Sequence, residues 1–263
     1  MRMLFLPREH GAYGQMSLPL VTSFLVAGMT TPAALVAVAV VAGFLAHEPL
    51  AVLLGRRGVR ARREQLRAAT VWCVVTGSIA AGTGIAATLL APASVRWSFL
   101  FPLLPGTILM FAILAKREKS AYGEVAVALA FSLVAVPVCL AAGAAAATAW
   151  CVGIAFASVF VSGTLAVRAI VLAVRGGGNL SVAHATRMMT LTVGALAVAS
   201  LAFMGARSLL PWAPLIAAVP GLAVATWLTL FPPLPTRLRS VGWTLVATSV
   251  FTALVLVAGL ATR

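Results

Sequence analysis

The chain has 263 residues, 62% hydrophobic and only 9% charged, and its 19 Lys and Arg against 5 acidic residues leave a net charge of +14. A soluble domain is about one-quarter charged, so composition excludes a water-soluble globule. The recurring apolar runs, each of about 20 residues, are long enough to cross hydrocarbon as helices. An outer-membrane barrel would show short alternating strands, and none is visible. The fold class is therefore all-α, a polytopic helical membrane protein forming one integral membrane domain over 1–263.

Nine helices are predicted, near 13–29, 32–54, 68–90, 97–115, 122–142, 147–174, 188–206, 212–230 and 241–260. Arg8, Glu9 and His10 interrupt the first apolar run, which argues against a cleavable signal peptide. Only Thr30 and Thr31 separate the first two helices, so these form a tight hairpin. Pro49 removes the backbone donor to residue 45 and predicts a kink in the second helix. Gly77 and Ala81, four apart on the third, are expected small-residue contacts between helices. Ser120 is an expected N-cap for the fifth helix, with Glu124 in its first turn, where the helix dipole favours an acid. Cys73, Cys139 and Cys151 lie in apolar segments without metal spacing and read as buried free thiols, a Cys139–Cys151 disulfide being the alternative.

The charges fall on alternate connections. Arg2 and Arg8 precede the first helix. Arg56, Arg57, Arg60, Arg62, Arg63 and Arg67 follow the second, and Lys116, Arg117 and Lys119 the fourth. Arg168, Arg175 and Arg187 flank the sixth connection, and Arg237 and Arg239 the eighth. This puts sixteen basic residues on one side, with Arg96, Arg207 and Arg263 on the other. The positive-inside rule then predicts a cell-membrane protein with a cytoplasmic N-terminus and an external C-terminus. It also explains the net charge through topology and anionic lipid headgroups rather than nucleic acid.

There is no aspartate, and the five glutamates and three histidines share the basic side. His10 and Gln15 mark the start of the first helix, His10 as a group that titrates near neutral pH. His47 and Glu48 sit beside Pro49, where an ionisable pair within a membrane helix is costly unless partnered or hydrated. Glu124 and His184 complete the candidate catalytic set of His10, His47, Glu48, Glu124 and His184. Gln15, Arg56, Arg57, Arg168, Arg175 and Asn179 are candidate substrate-binding groups, since guanidinium forks match phosphate and carboxylate. Arg168 and Arg175 are seven apart on one helical face. No established catalytic motif is present. A zinc site from the three histidines and Glu48 would require the cytoplasmic mouths to converge, and no metal ligand is assigned.

The stretch Pro7-Arg8-Glu9-His10-Gly11-Ala12-Tyr13, followed by Met16, Pro19 and Gly28, resembles the start of the YwiC-like membrane proteins. The likeness extends to 116–131 and to the Arg…Asn…His order of 168–184. That resemblance implies no reaction. The nine-helix layout is also similar to the UbiA-type intramembrane prenyltransferases, which implies a cytoplasm-facing cavity and a prenyl diphosphate held by magnesium on aspartate-rich motifs. Those aspartates are absent here, so no cofactor is expected, with magnesium as the resemblance's alternative. The expected function is binding or modification of an amphipathic, anionic lipid or isoprenoid in a cytoplasm-facing polar cavity. A small-molecule transporter and a non-catalytic assembly subunit of a membrane complex are the alternatives, and membrane lipids are the expected partners.

Overall fold

The computed structural model describes residues 5, 10–115, 117, 119–174, 180–234 and 237–260, with the backbone alone at His10, Val174 and Leu180. The described elements are all helical. They are α1 (His10–Ala27), α2 (Thr31–Leu53), α3 (Val59–Leu90), a 3₁₀ segment (Ala93–Phe99) running into α4 (Leu100–Leu114), α5 (Ala121–Leu133), α6 (Ala135–Ala141), α7 (Ala146–Val174), α8 (Leu180–Ala206), α9 (Ala213–Leu230) and α10 (Leu238–Leu260). Among the described residues, eight helical units are long and apolar enough to cross a membrane, counting the 3₁₀ segment with α4, and α5 with α6, as one unit each. Large apolar side chains such as Val74, Leu104 and Trp243 are about 60% exposed or more. Water would reject a surface of this kind, whereas lipid accepts it. The protein is a multi-pass membrane protein.

Helix boundaries depart from expectation where polar residues are good helix formers. α3 begins at Val59 rather than near residue 68, so Arg60, Arg62, Arg63, Glu64 and Arg67 lie on a helix and not in a loop. At 1.5 Å per residue, its 32 residues reach roughly 48 Å, beyond the ~30 Å of hydrocarbon. Arg, Glu and Gln cost little in a helix, so the ladder continues past the apolar run into the headgroup zone. α8 likewise begins at Leu180 rather than near residue 188. The predicted fifth helix divides at Val134, because Pro137 has no N–H to donate to the carbonyl of Leu133. α2, by contrast, continues through Pro49. The α1–α2 hairpin is tight as expected, with Gly28 at φ 82° and Thr30 as N-cap of α2. Its Oγ1 donates to the carbonyl of Ala141 at 3.0 Å, tying the hairpin to the end of α6. No disulfide joins the three cysteines, and Cys139 and Cys151 are buried.

α7 is the hub of the bundle and packs against α1, α5, α6, α8, α9 and α10. Phe156 and Leu165 of α7, Val136 of α6 and Leu256 of α10 are fully buried in the largest core cluster. Two glycines permit the close approaches. A Cβ on Gly153 would lie 2.9 Å from Val136 Cγ2, and one on Gly221 would lie 2.8 Å from Val159 Cγ1. Between α9 and α10 the hydroxyl of Thr252 donates to the carbonyl of Ala217 at 2.9 Å, an interhelical bond of the kind that replaces hydrophobic drive inside lipid. The small-residue seam between α2 and α3 is not at Gly77, where an added Cβ meets nothing within 4 Å. It lies two turns along, at Gly84, where an added Cβ would be 3.8 Å from Ala39 Cβ, and at Gly43 of α2, where one would be 4.0 Å from Ala80 Cβ.

Because Val159 is β-branched and stiff at χ1, it cannot swing away from a new methyl. Gly221→Ala is therefore expected to destabilise the protein by about 1–3 kcal/mol, read as a lower thermal unfolding midpoint in detergent. Val159→Ala in the same chain should recover part of the loss. Gly106→Ala, whose Cβ meets nothing within 4 Å, should not lower the midpoint.

Candidate functional site

α1, α2, α3, α4, α5, α7 and α10 enclose a cavity of about 1310 Å³. Three of them show why it forms where it does. On α7, Val159, Phe160, Gly163, Thr164, Val167 and Arg168 recur at helical spacing and share the cavity face. On α2, the face carries Val36, Val40, Gly43, Phe44 and His47, and on α5, Glu124, Val127, Ala130 and Phe131, with Val134 just past its end. Each face is apolar along most of its length and ionisable only at one end. The ionisable ends coincide at the basic pole of the bundle. Glycines on the lining, among them Gly11, Gly14, Gly106 and Gly242, have open space where a side chain would stand, which keeps the hollow wide.

Two arginine–glutamate pairs stand at the polar end. Arg57, in the turn after α2, donates Nε to Glu48 Oε1 at 2.8 Å and Nη2 to Glu48 Oε2 at 2.5 Å. The Glu48 side chain is 9% exposed and that of Arg57 30%. The planar fork thus neutralises a buried carboxylate along both oxygens. Arg168 donates Nη1 to Glu124 Oε2 at 3.0 Å and to the carbonyl of Lys119 at 2.9 Å, joining α7 to the start of α5. Ser120 caps α5 as expected, accepting from the backbone N of Gly123 at 3.3 Å. Half-buried His47 lies on the lining beside Glu48, and Gln15 donates Nε2 to Thr164 Oγ1 at 3.3 Å, bridging α1 and α7. Tyr13, Phe44 and Phe131 form an edge-to-face chain, with centroids 5.0 and 5.6 Å apart, which braces α1, α2 and α5 beside these groups.

Of the residues singled out in the sequence, Gln15, His47, Glu48, Arg57, Glu124 and Arg168 line this one cavity. Arg56 does not. Its Nη2 donates to the carbonyl of Ile113 in the last turn of α4 at 2.7 Å, so it acts as a strut between the α2–α3 turn and α4. His184 is exposed on α8 and is not part of the cavity lining, so the histidines do not assemble with Glu48 into a zinc site there. The side chain of His10, and Arg175 and Asn179 entirely, lie outside the described residues. Lys119 and Thr164 belong to the lining although the sequence reading assigned them no part in the site. Thr164 could have been found, since it precedes Arg168 by four residues and so shares its face. Among the described residues, no three His, Cys, Asp or Glu side chains stand together as metal ligands. Glu48 and Glu124 each face an arginine, so a magnesium–diphosphate site does not fit this donor set.

Comparison with protein-family models matches residues 6–139 to the model described as YwiC-like protein. No curated protein and no solved structure matches the chain.

Removing either partner of the Glu48–Arg57 pair leaves a charge without its counterion at the edge of hydrocarbon. A double-mutant cycle of Glu48→Gln and Arg57→Gln, followed by thermal unfolding in detergent, should give a coupling of about 1–3 kcal/mol. The same cycle on Arg60–Glu64, whose side chains are 91% and 55% exposed, should give less than about 0.5 kcal/mol. Equal couplings would mean that Glu48 is solvated and not buried.

Proposed function

The chain belongs to the YwiC-like family, and from that premise we propose that it binds an amphipathic, anionic lipid or isoprenoid in the cavity, head group at the polar end and chain along the apolar length. The observation that carries this reading is the polarity profile of one continuous hollow. Its polar end offers Arg57, Lys119 and Arg168 against Glu48 and Glu124, a surplus of one positive charge before His47 is counted. The remainder is lined by residues such as Val36, Val40, Phe131 and Leu103. A soluble anion would use the first part and leave the second empty, and a plain hydrocarbon would leave the arginines unused. The volume also exceeds the usual 300–1,000 Å³ of a small-molecule pocket, which suits a ligand with a long chain.

In this reading Arg57 and Arg168 hold the head group, with exposed Lys119 as a third cation. The pairing with glutamate keeps both arginines fixed while no ligand is bound. His47, beside Glu48, is the group suited to take or return a proton on a bound head group. The excess of basic residues on alternate connections supports a cytoplasmic placement of the polar end in the cell membrane, with the N-terminus on the same side.

Lipid analysis of the protein purified in mild detergent should find an anionic amphipathic species enriched over its share of the source membrane. Arg57→Gln with Arg168→Gln should reduce its retention at least tenfold, the equivalent of about 1.4 kcal/mol. Gly14→Leu, which adds bulk at an open position on the lining, should reduce it without lowering the unfolding midpoint. Retained lipid in the proportions of the bulk membrane would overturn the reading. A solute flux in vesicles that is lost with Glu48→Gln would replace it with transport.

A further inference from the structure

The cavity wall between α3 and α4 is built unlike its neighbours. α3 makes its extensive contacts with α2 and α4 with α5, whereas α3 and α4 are not among the closely packed helix pairs, although both line the cavity. On this side Ile85 and Leu89 of α3 and Leu103 of α4 belong to the lining and are also 62%, 65% and 59% exposed. The hollow is only partly enclosed, and these exposed side chains, on two helices that do not pack on each other, mark this wall as the unpacked one. Gly106 of α4 contributes no side chain to close the gap, and a Cβ there would meet nothing within 4 Å.

Both ends of the gap are held by arginines that donate to helix C-terminal carbonyls. At one end Arg96 of the 3₁₀ segment donates to the carbonyls of Ala91 at 3.1 Å and Leu89 at 2.9 Å, fixing the end of α3. At the other, Arg56 bonds the carbonyl of Ile113 in the last turn of α4 at 2.7 Å. Such carbonyls lack intrahelical donors and carry the negative end of the helix dipole, so each guanidinium makes a charge-assisted tie. The gap is thus fastened at top and bottom and left unpacked between.

We propose that this slot is a lateral portal through which the hydrocarbon chain of the bound lipid passes directly between the bilayer and the cavity. The proposal rests on the amphipathic-ligand reading above and adds the route and the chain's position. Both flanking helices are apolar and long enough to span a membrane, and beside the slot Leu100, Leu104 and Phe111 present exposed apolar surface. What meets this face is therefore acyl or isoprenoid chain, not water. With the slot open, the chain stays in contact with bulk lipid while its head group reaches the polar end, so the site sets no upper limit on chain length.

The test bridges the slot. In a Cys73→Ser background, Ile85→Cys and Leu103→Cys are joined by a flexible bismaleimide after the protein has folded in vesicles. The vesicles contain phosphatidylglycerol with a diazirine at the end of one acyl chain, and photolabelled peptides are read by mass spectrometry. Without the bridge, label should reach Phe131 of α5 and Val134 just past its end, both on the cavity lining. With the bridge, that labelling should fall several-fold while labelling of lipid-facing Leu104 is unchanged. Each single-cysteine protein treated with the reagent should behave as the unbridged form. Interior labelling that persists through the bridge would overturn the portal and leave the lipid-binding reading standing. Absence of interior labelling even without the bridge would overturn both.

Discussion

A carboxylate at the edge of hydrocarbon is tolerable only with a partner, and this requirement organises the polar end of the bundle. Glu48 is held along both oxygens by Arg57, nine residues later, across the turn from α2 to α3. Glu124 is held by Arg168, which reaches across 44 residues of sequence to join α5 and α7. The pairs differ in consequence. The first stiffens one hairpin, while the second makes a tertiary contact and fixes one wall of the cavity relative to another. Both pairs belong to the lining, so they border the hollow without filling it. The charge that the fold needs for its own integrity is thereby left at the mouth, where a ligand can meet it.

The apolar part of the cavity depends on a contrast in packing. Around α7, glycines allow helices to close on one another to the point where even a methyl at Gly153 or Gly221 would collide. Toward α3 and α4, small residues serve the opposite end. Gly84 and Gly43 let α3 lie close on α2, while α3 and α4 are not a packed pair, and Gly106 adds no side chain to the facing surface. Dispersion contacts are lost wherever a gap persists, so a stable gap needs fastening elsewhere. Arg56 and Arg96 supply that at the two ends. A rigid half built on α7 and a loosely closed half built on the α2–α3 hairpin and α4 together make a container with a firm back and a thin front.

Hydropathy was sufficient to dictate helices and their approximate limits. These follow from the transfer free energy of short segments and from the need of each backbone to satisfy itself in lipid, both local properties. The same local reasoning located the cap at Ser120 and the hairpin at Thr30. It erred where polar residues continue a helix, as at Arg60 to Arg67, because it treated charge as the end of order. It also could not tell Arg56 from Arg57. Adjacent residues on a turn point in different directions, and their tasks depend on what stands opposite. Arg57 meets Glu48, and Arg56 meets the carbonyl of Ile113, 57 residues away. Convergence of Gln15, His47, Glu48, Glu124 and Arg168 on one cavity, the separation of His184 from it, and the gap between α3 and α4 arise from how the faces of seven helices are turned toward one another. That arrangement is set by side-chain packing between distant segments, on which the periodicity of any single helix is silent.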